Sequence, residues 1–177
     1  MAKIDITDKV TFDRDTVYET FRDNLVELLP YLPTVKNIER TDYERVDENS
    51  VKIVNIWYAA DEDIPSLAQR FISQEMLQWK DTAHWDDEEF SVKWDMEVGF
   101  LSDAISCGGK TTYKKVGDQT EVHILGDLKV DAKKIPGVPR LIAGKVGGAI
   151  EKFVVKMITP NMKEANRGVE KYLATLD

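Results

Sequence analysis

The sequence predicts an α+β fold, a curved antiparallel sheet of about six strands covered by one long C-terminal helix. Three observations carry this. Apolar residues recur at every second position, most clearly Phe90, Val92, Trp94, Met96, Val98 and Phe100, and period 2 gives a strand one buried face. Turn-forming stretches such as Asp47-Glu48-Asn49-Ser50 and Val116-Gly117-Asp118-Gln119 separate consecutive strand patterns, as antiparallel hairpins require. Beyond residue 140 the spacing changes from 2 to 3 and 4, the helical repeat.

The first strand is predicted over 3–12, where Ile4, Ile6, Val10 and Phe12 share a phase. Asp13 or Asp15 then caps a helix, on which Val17, Phe21, Leu25, Leu28 and Leu29 form one stripe. Pro30 and Pro33 stop it, because proline lacks the N–H and disfavours helix in the residue before it. Segments 35–46 and 51–60 form the next hairpin. Residues 61–75 begin as a loop at Asp61-Glu62-Asp63-Ile64-Pro65 and hold one or two helical turns from Ser66 to Ile72.

Leu77, Trp79, Asp81, Ala83 and Trp85 form the following strand face, and the acidic run 86–89 turns the chain into strand 90–100. Strands 104–115 and 119–131 complete the sheet. Gly126 interrupts the apolar row of the last strand, permitting a bulge or leaving room for something to approach. After the linker 133–139, Ile142, Val146, Ile150, Phe153, Met157, Met162, Ala165, Val169 and Leu173 run along one helix. Pro160 should kink it.

The chain has 177 residues, with 24 Lys+Arg, 32 Asp+Glu and a net charge of −8. That balance argues against nucleic-acid binding through a general basic surface. The charge is uneven: net −12 over the first hundred residues and +4 over the remainder. Hydrophobic content of 42% suits a globular chain. The start shows no apolar secretory core, and no 18-residue apolar run occurs, so the expectation is a soluble, cytoplasmic, single-domain protein over 1–177. The single Cys107 excludes an intramolecular disulfide and a cysteine zinc site.

The strand faces and the helix carry an unusual set of large side chains: Trp57, Trp79, Phe90, Trp94, Met96 and Phe100 opposite Phe153, Met157 and Met162. They can fill a dry core or line a cavity. Asp81 shares the inward phase, and points into such a cavity unless a bulge turns it outward. The loop residues Ile64, Leu67, Phe71 and Ile72, with Gly144, Gly147 and Gly148 in the first turns of the helix, are candidate gate residues. Lys133, Lys134, Arg140 and Lys145 form a candidate basic rim that would meet anionic head groups or a transiently contacted membrane surface.

Three stretches resemble the START-like, Bet v 1-like and polyketide-cyclase (SRPBCC) superfamily over almost the whole length. Val10 to Phe21 is similar to its first strand running into its first helix. Leu29-Pro30-Tyr31-Leu32-Pro33-Thr34-Val35-Lys36-Asn37-Ile38-Glu39 resembles its second-strand motif. The long amphipathic helix follows the last strand, as in that superfamily. The segment from Lys129 to Glu151 also resembles bacterial members, and the element order resembles PRELI-type phospholipid carriers. The resemblance implies a helix-grip fold, about seven antiparallel strands around the helix, enclosing a site for lipids, sterols or polyketides.

No catalytic constellation stands out. His84 and His123 are out of phase with their apolar neighbours and not at metal-ligand spacing. Cys107 reads as a buried thiol. Lys145 lacks a phosphate-loop context, and the 86–89 run lacks calcium-loop spacing. The expectation is therefore non-catalytic binding or transport of a hydrophobic small molecule, most simply a lipid, without cofactor or metal. One alternative is a cyclase or dehydratase in which Asp81, His84 and Tyr113 converge. The other is a co-chaperone-like interaction module that uses the acidic face, which a filled core without a cavity would favour.

Overall fold

The structure is a computed structural model describing residues 1–60, 65–71, 73 and 76–176. Among them, seven strands form one antiparallel sheet: β1 (Ala2–Val10), β2 (Val35–Asp47), β3 (Ser50–Ala59), β4 (Gln78–Asp86), β5 (Ser91–Glu97), β6 (Ile105–Val116) and β7 (Gln119–Val130). Their order is β1-β7-β6-β5-β4-β3-β2, so every strand from β3 to β7 neighbours the one before it, and β1 pairs with β7. Helix α1 (Arg14–Asp23) follows β1, and the long helix α2 (Ala143–Ala174) ends the chain. This is the predicted α+β helix-grip architecture.

Asp13 caps α1, accepting from the Thr16 N–H at 3.0 Å. The helix stops at Asp23, earlier than the apolar stripe predicts. Val26–Tyr31 continues as a 3₁₀ turn, with Pro30 inside it. The tighter turn still buries Leu28, so the stripe survives the change of helix type. The strand predicted over 90–100 is also shorter. Phe90 sits in the β4–β5 turn with φ of 50°, and a 3₁₀ turn begins at Gly99. Asp86 holds that β4–β5 turn by accepting from the Glu88 and Glu89 amides at 3.0 and 2.9 Å.

The inner rows of the sheet form the core with α2. Ile4, Ile53, Val122 and Leu128 meet Val146, Ile150 and Val169 of the helix in one buried cluster. Such burial contributes roughly 25 cal/mol per Å² of apolar surface removed from water. Polar ties pin the C-terminal half of α2 to β1. Asn166 and Arg167 each donate to Asp8 at 3.0 Å, and Glu170 accepts from the Thr11 amide at 3.0 Å. Burial raises the Asp8 pKa, but these bonds and the Arg167 charge outweigh it and hold the carboxyl below its usual value. No helix among the described residues is long and apolar enough to cross a membrane.

Candidate functional site

The helix does not fill the concavity of the sheet. A cavity of about 190 Å³ remains beneath the C-terminal half of α2. A second of about 70 Å³ lies under its N-terminal half, and Trp79 and Met96 border both. The larger one takes its floor from alternate residues of β3 to β7. Its roof comes from Phe21 of α1 and from Asn161, Met162, Ala165 and Asn166 of α2.

All four tryptophans of the chain line this cavity: Trp57, Trp79, Trp85 and Trp94. Each position has a local cause. Trp57 and Trp79 are cross-strand partners of β3 and β4, and their rings stack 5.9 Å apart at 9°. Trp85 stacks on Tyr113, 6.2 Å away. Trp94 lies flat across the sheet because Gly109 and Gly126, themselves paired between β6 and β7, leave the space it occupies. A Cβ on Gly126 would stand 2.7 Å from the Trp94 ring. The gap in the last strand is therefore a seat for an indole. Trp94 Nε1 donates to Thr111 Oγ1 at 3.1 Å, which fixes the ring.

Polar groups in the wall are few. Asp81 pairs with Asn55 and Met96 in unbroken register, so no bulge turns it outward. It lines the cavity. Burial pushes its pKa up to about 7; the Trp57 indole N–H beside it pulls the other way, and the Asp95 charge adds to the rise. That indole N–H does not reach hydrogen-bonding geometry, and Trp57 Nε1, Trp79 Nε1 and Asp81 Oδ1 are all buried without a partner. Burial, with the Asp81 charge, also holds the Tyr113 hydroxyl well above its ordinary pKa.

Of the residues expected at the cavity, Trp57, Trp79, Asp81, Trp94 and Met96 border the larger space, and Phe153 borders the smaller one. Phe90 does not. Its left-handed turn conformation swings the ring out of the strand phase and onto Tyr18, 5.1 Å away, beneath the Arg14 guanidinium at 3.7 Å. The side chains of Phe100 and Met157, and all of Ile64 and Ile72, lie outside the described residues.

Leu67 is exposed, and Phe71 packs against the core. Gly147 differs from its two neighbours. A Cβ there would meet the Val130 carbonyl at 3.4 Å and the Ala132 side chain at 3.5 Å, whereas Gly144 and Gly148 face open space. Gly147 is thus a packing position between α2 and the end of β7. Lys133, Lys134, Arg140 and Lys145 are exposed, and none lines either cavity.

His84 is exposed and absent from the wall, so it does not join Asp81 and Tyr113. His123 pairs with Asp5 at 2.8 Å on the outer face. Cys107 is buried, and burial followed by the charges of Asp95, Asp127 and Asp81 pushes its thiol up to about 11. The sequence patterns did not single out Asn161 and Asn166 as cavity residues, whereas Met162 lay in the helix set expected to face the sheet and lines the cavity. Trp85 carried a signal, being in phase with Trp79 and Asp81.

The fold is the helix-grip fold of the Bet v 1-like (SRPBCC) class. The TTHA0849 protein of Thermus thermophilus superposes with a TM-score of 0.69 at 18% identity, over 99% of both chains. The Zhui aromatase/cyclase of Streptomyces sp. R1128 gives 0.67 at 13% identity, over 97% of this chain and 92% of its own. The major latex-like protein 151 of Panax ginseng gives 0.59 at 14%, over 97% and 96%. The chain belongs to the family described as a protein of unknown function (DUF2505), which matches residues 5–173. No curated protein matches the sequence.

Proposed function

We propose that the protein binds a hydrophobic small molecule in the cavity beneath α2 and does not transform it. The observation that carries this is the wall itself: four tryptophans and a ring of aliphatic side chains around about 190 Å³ of unfilled space. Protein interiors ordinarily leave few voids larger than a water. An apolar cavity of about 150 Å³ takes up benzene, so this one suits a compact ligand of one or two rings better than a two-chain lipid. The aromatase/cyclase and latex-like neighbours support a ligand-holding use of the same fold.

The four tryptophans make a built-in reporter. Titration with naphthalene should change the intrinsic fluorescence saturably. Native mass spectrometry of gently purified protein should show a bound apolar species. A linear, unsaturable response together with a bare mass would overturn the proposal. The exposed Lys133, Lys134, Arg140 and Lys145 group supports delivery from an anionic surface. Neutralising all four should reduce sedimentation with anionic vesicles and leave naphthalene binding unchanged.

One observation favours a second reading, a cyclase-type enzyme. Asp81 titrates near neutrality inside an apolar cavity that also holds Tyr113, the condition in which a carboxyl can act as general acid or base. Under that reading Asp81→Asn abolishes turnover of a polyketide-like substrate; under the binding reading no turnover exists to abolish. A filled core would favour the interaction-module alternative on the acidic face, and the cavity withholds that support.

A further inference from the structure

Three buried side-chain polar atoms lack a hydrogen-bond partner among the described residues, and all three belong to residues of one cavity wall: Trp57 Nε1, Trp79 Nε1 and Asp81 Oδ1. Buried polar groups are nearly always paired, and an unpaired one is costly to the fold. The set is two donors and one acceptor. A hydroxyl carries the complement, one donor and two acceptor lone pairs. A carboxylate carries acceptors only.

Charge sharpens the choice. Among the described residues, Asp81 is the one ionisable acid in the wall apart from the Tyr113 phenol, and no Lys, Arg or His lines it. Asp95 lies close enough to add to the negative field at Asp81. Arg40 shares the same cross-strand row, one place beyond Asn55. Its guanidinium is turned to Asn55 Oδ1 at 3.5 Å and to the Asp23 and Arg22 carbonyls at 3.2 and 2.8 Å. Nothing in the wall would neutralise an anionic ligand.

We infer that Asp81, flanked by Trp57 and Trp79, is the polar recognition point of the cavity, and that it selects compact ring-bearing ligands ending in a hydroxyl over those ending in a carboxylate. The hydroxyl donates to Asp81 Oδ1 and accepts from an indole N–H, while the ring body fills the apolar remainder. This rests on the proposed binding function and adds the chemistry of the ligand's polar end. It separates the cavity from the exposed basic group near the start of α2, which has no part in recognition inside.

The test uses three probes with one ring body: naphthalene, 2-naphthol and 2-naphthoate, titrated calorimetrically at pH 8 into the full chain. The wild type should bind 2-naphthol about tenfold more tightly than naphthalene, and 2-naphthoate at least about tenfold more weakly than naphthalene. Asp81→Asn, checked for folding by circular dichroism, should shrink the naphthol advantage and remove the naphthoate penalty. Trp57→Phe keeps a ring, removes one donor and thins the wall; it should lower naphthol affinity more than naphthalene affinity, so that the ratio between the two shrinks. Naphthoate binding as tightly as naphthalene to the wild type overturns the inference alone, as does naphthol gaining nothing, the result if water already satisfies the three atoms. If naphthalene itself does not bind, the cavity reading beneath the inference fails.

Discussion

Gly126→Ala tests the physical argument for the shape of the cavity. The added methyl would lie 2.7 Å from Trp94 Cη2 and 2.9 Å from the Gly108 carbonyl oxygen. Both separations are shorter than real Cβ contacts, and the Gly108 oxygen belongs to a paired strand that yields little. Trp94 must therefore move. Overpacking of this kind costs about 1–3 kcal/mol, and a displaced Trp94 also forfeits its bond to Thr111, worth about 0.5–1.5 kcal/mol. For a chain of this length each kcal/mol lowers Tm by about 2–4 °C. Differential scanning calorimetry should register a fall of several degrees, with a change in naphthalene affinity because Trp94 is cavity wall. Repeating Gly126→Ala in a Trp94→Leu background should cost clearly less, leaving mainly the Gly108 clash. A Gly126→Ala protein with wild-type Tm, or an equal penalty in both backgrounds, would refute the reasoning.

Three other outcomes follow from the same geometry. Asp81 holds its proton more tightly in the folded chain, at about 7 against 3.8 for the free carboxyl. Its contribution to stability is thus complete below about pH 4 and is lost as pH rises through about 7. Asp81→Asn should gain on the wild type across that window, by up to about 4 kcal/mol, in urea melts at stepped pH; a pH-independent difference contradicts the burial of Asp81. Asn166→Ala removes the 3.0 Å bond to Asp8 that ties α2 to β1, and should cost about 1–3 kcal/mol in urea denaturation; an unchanged midpoint refutes that tie. Cys107, buried and with its thiol pushed up to about 11, should resist iodoacetamide in native protein and react at once in urea, so rapid native labelling would contradict its placement.

The strand phases were legible because one-sided burial leaves a period-2 mark. Trp79, Asp81, Trp94 and Met96 were placed on one face by that mark, whereas Trp57 sits in a strand apolar on both faces, where alternation alone does not choose the inner one. Phe90 shows where the signal ends. It continues the alternation in sequence, yet a left-handed turn residue no longer obeys strand phase. The α1 stripe likewise ran past Asp23 because a 3₁₀ turn buries nearly the same residues as an α-helix would. The cradle under Trp94 was only half visible. Gly126 read as a gap, but the residue that fills it comes from two strands away, a pairing set by register rather than local pattern. Asn161 and Asn166 left no mark, since a polar residue on a helix looks the same whether it faces solvent or a cavity.

The central claim is that a compact apolar ligand occupies the space between the sheet and the C-terminal half of α2. Intermolecular NOEs between 2-naphthol ring protons and protein methyl groups test it most directly. The account predicts contacts to the methyls of Met96, Val92, Ile124 and Met162, which line the cavity, and none to the exposed Val46 and Leu141. Contacts confined to surface methyls, with none from Met96 or Met162, would contradict it.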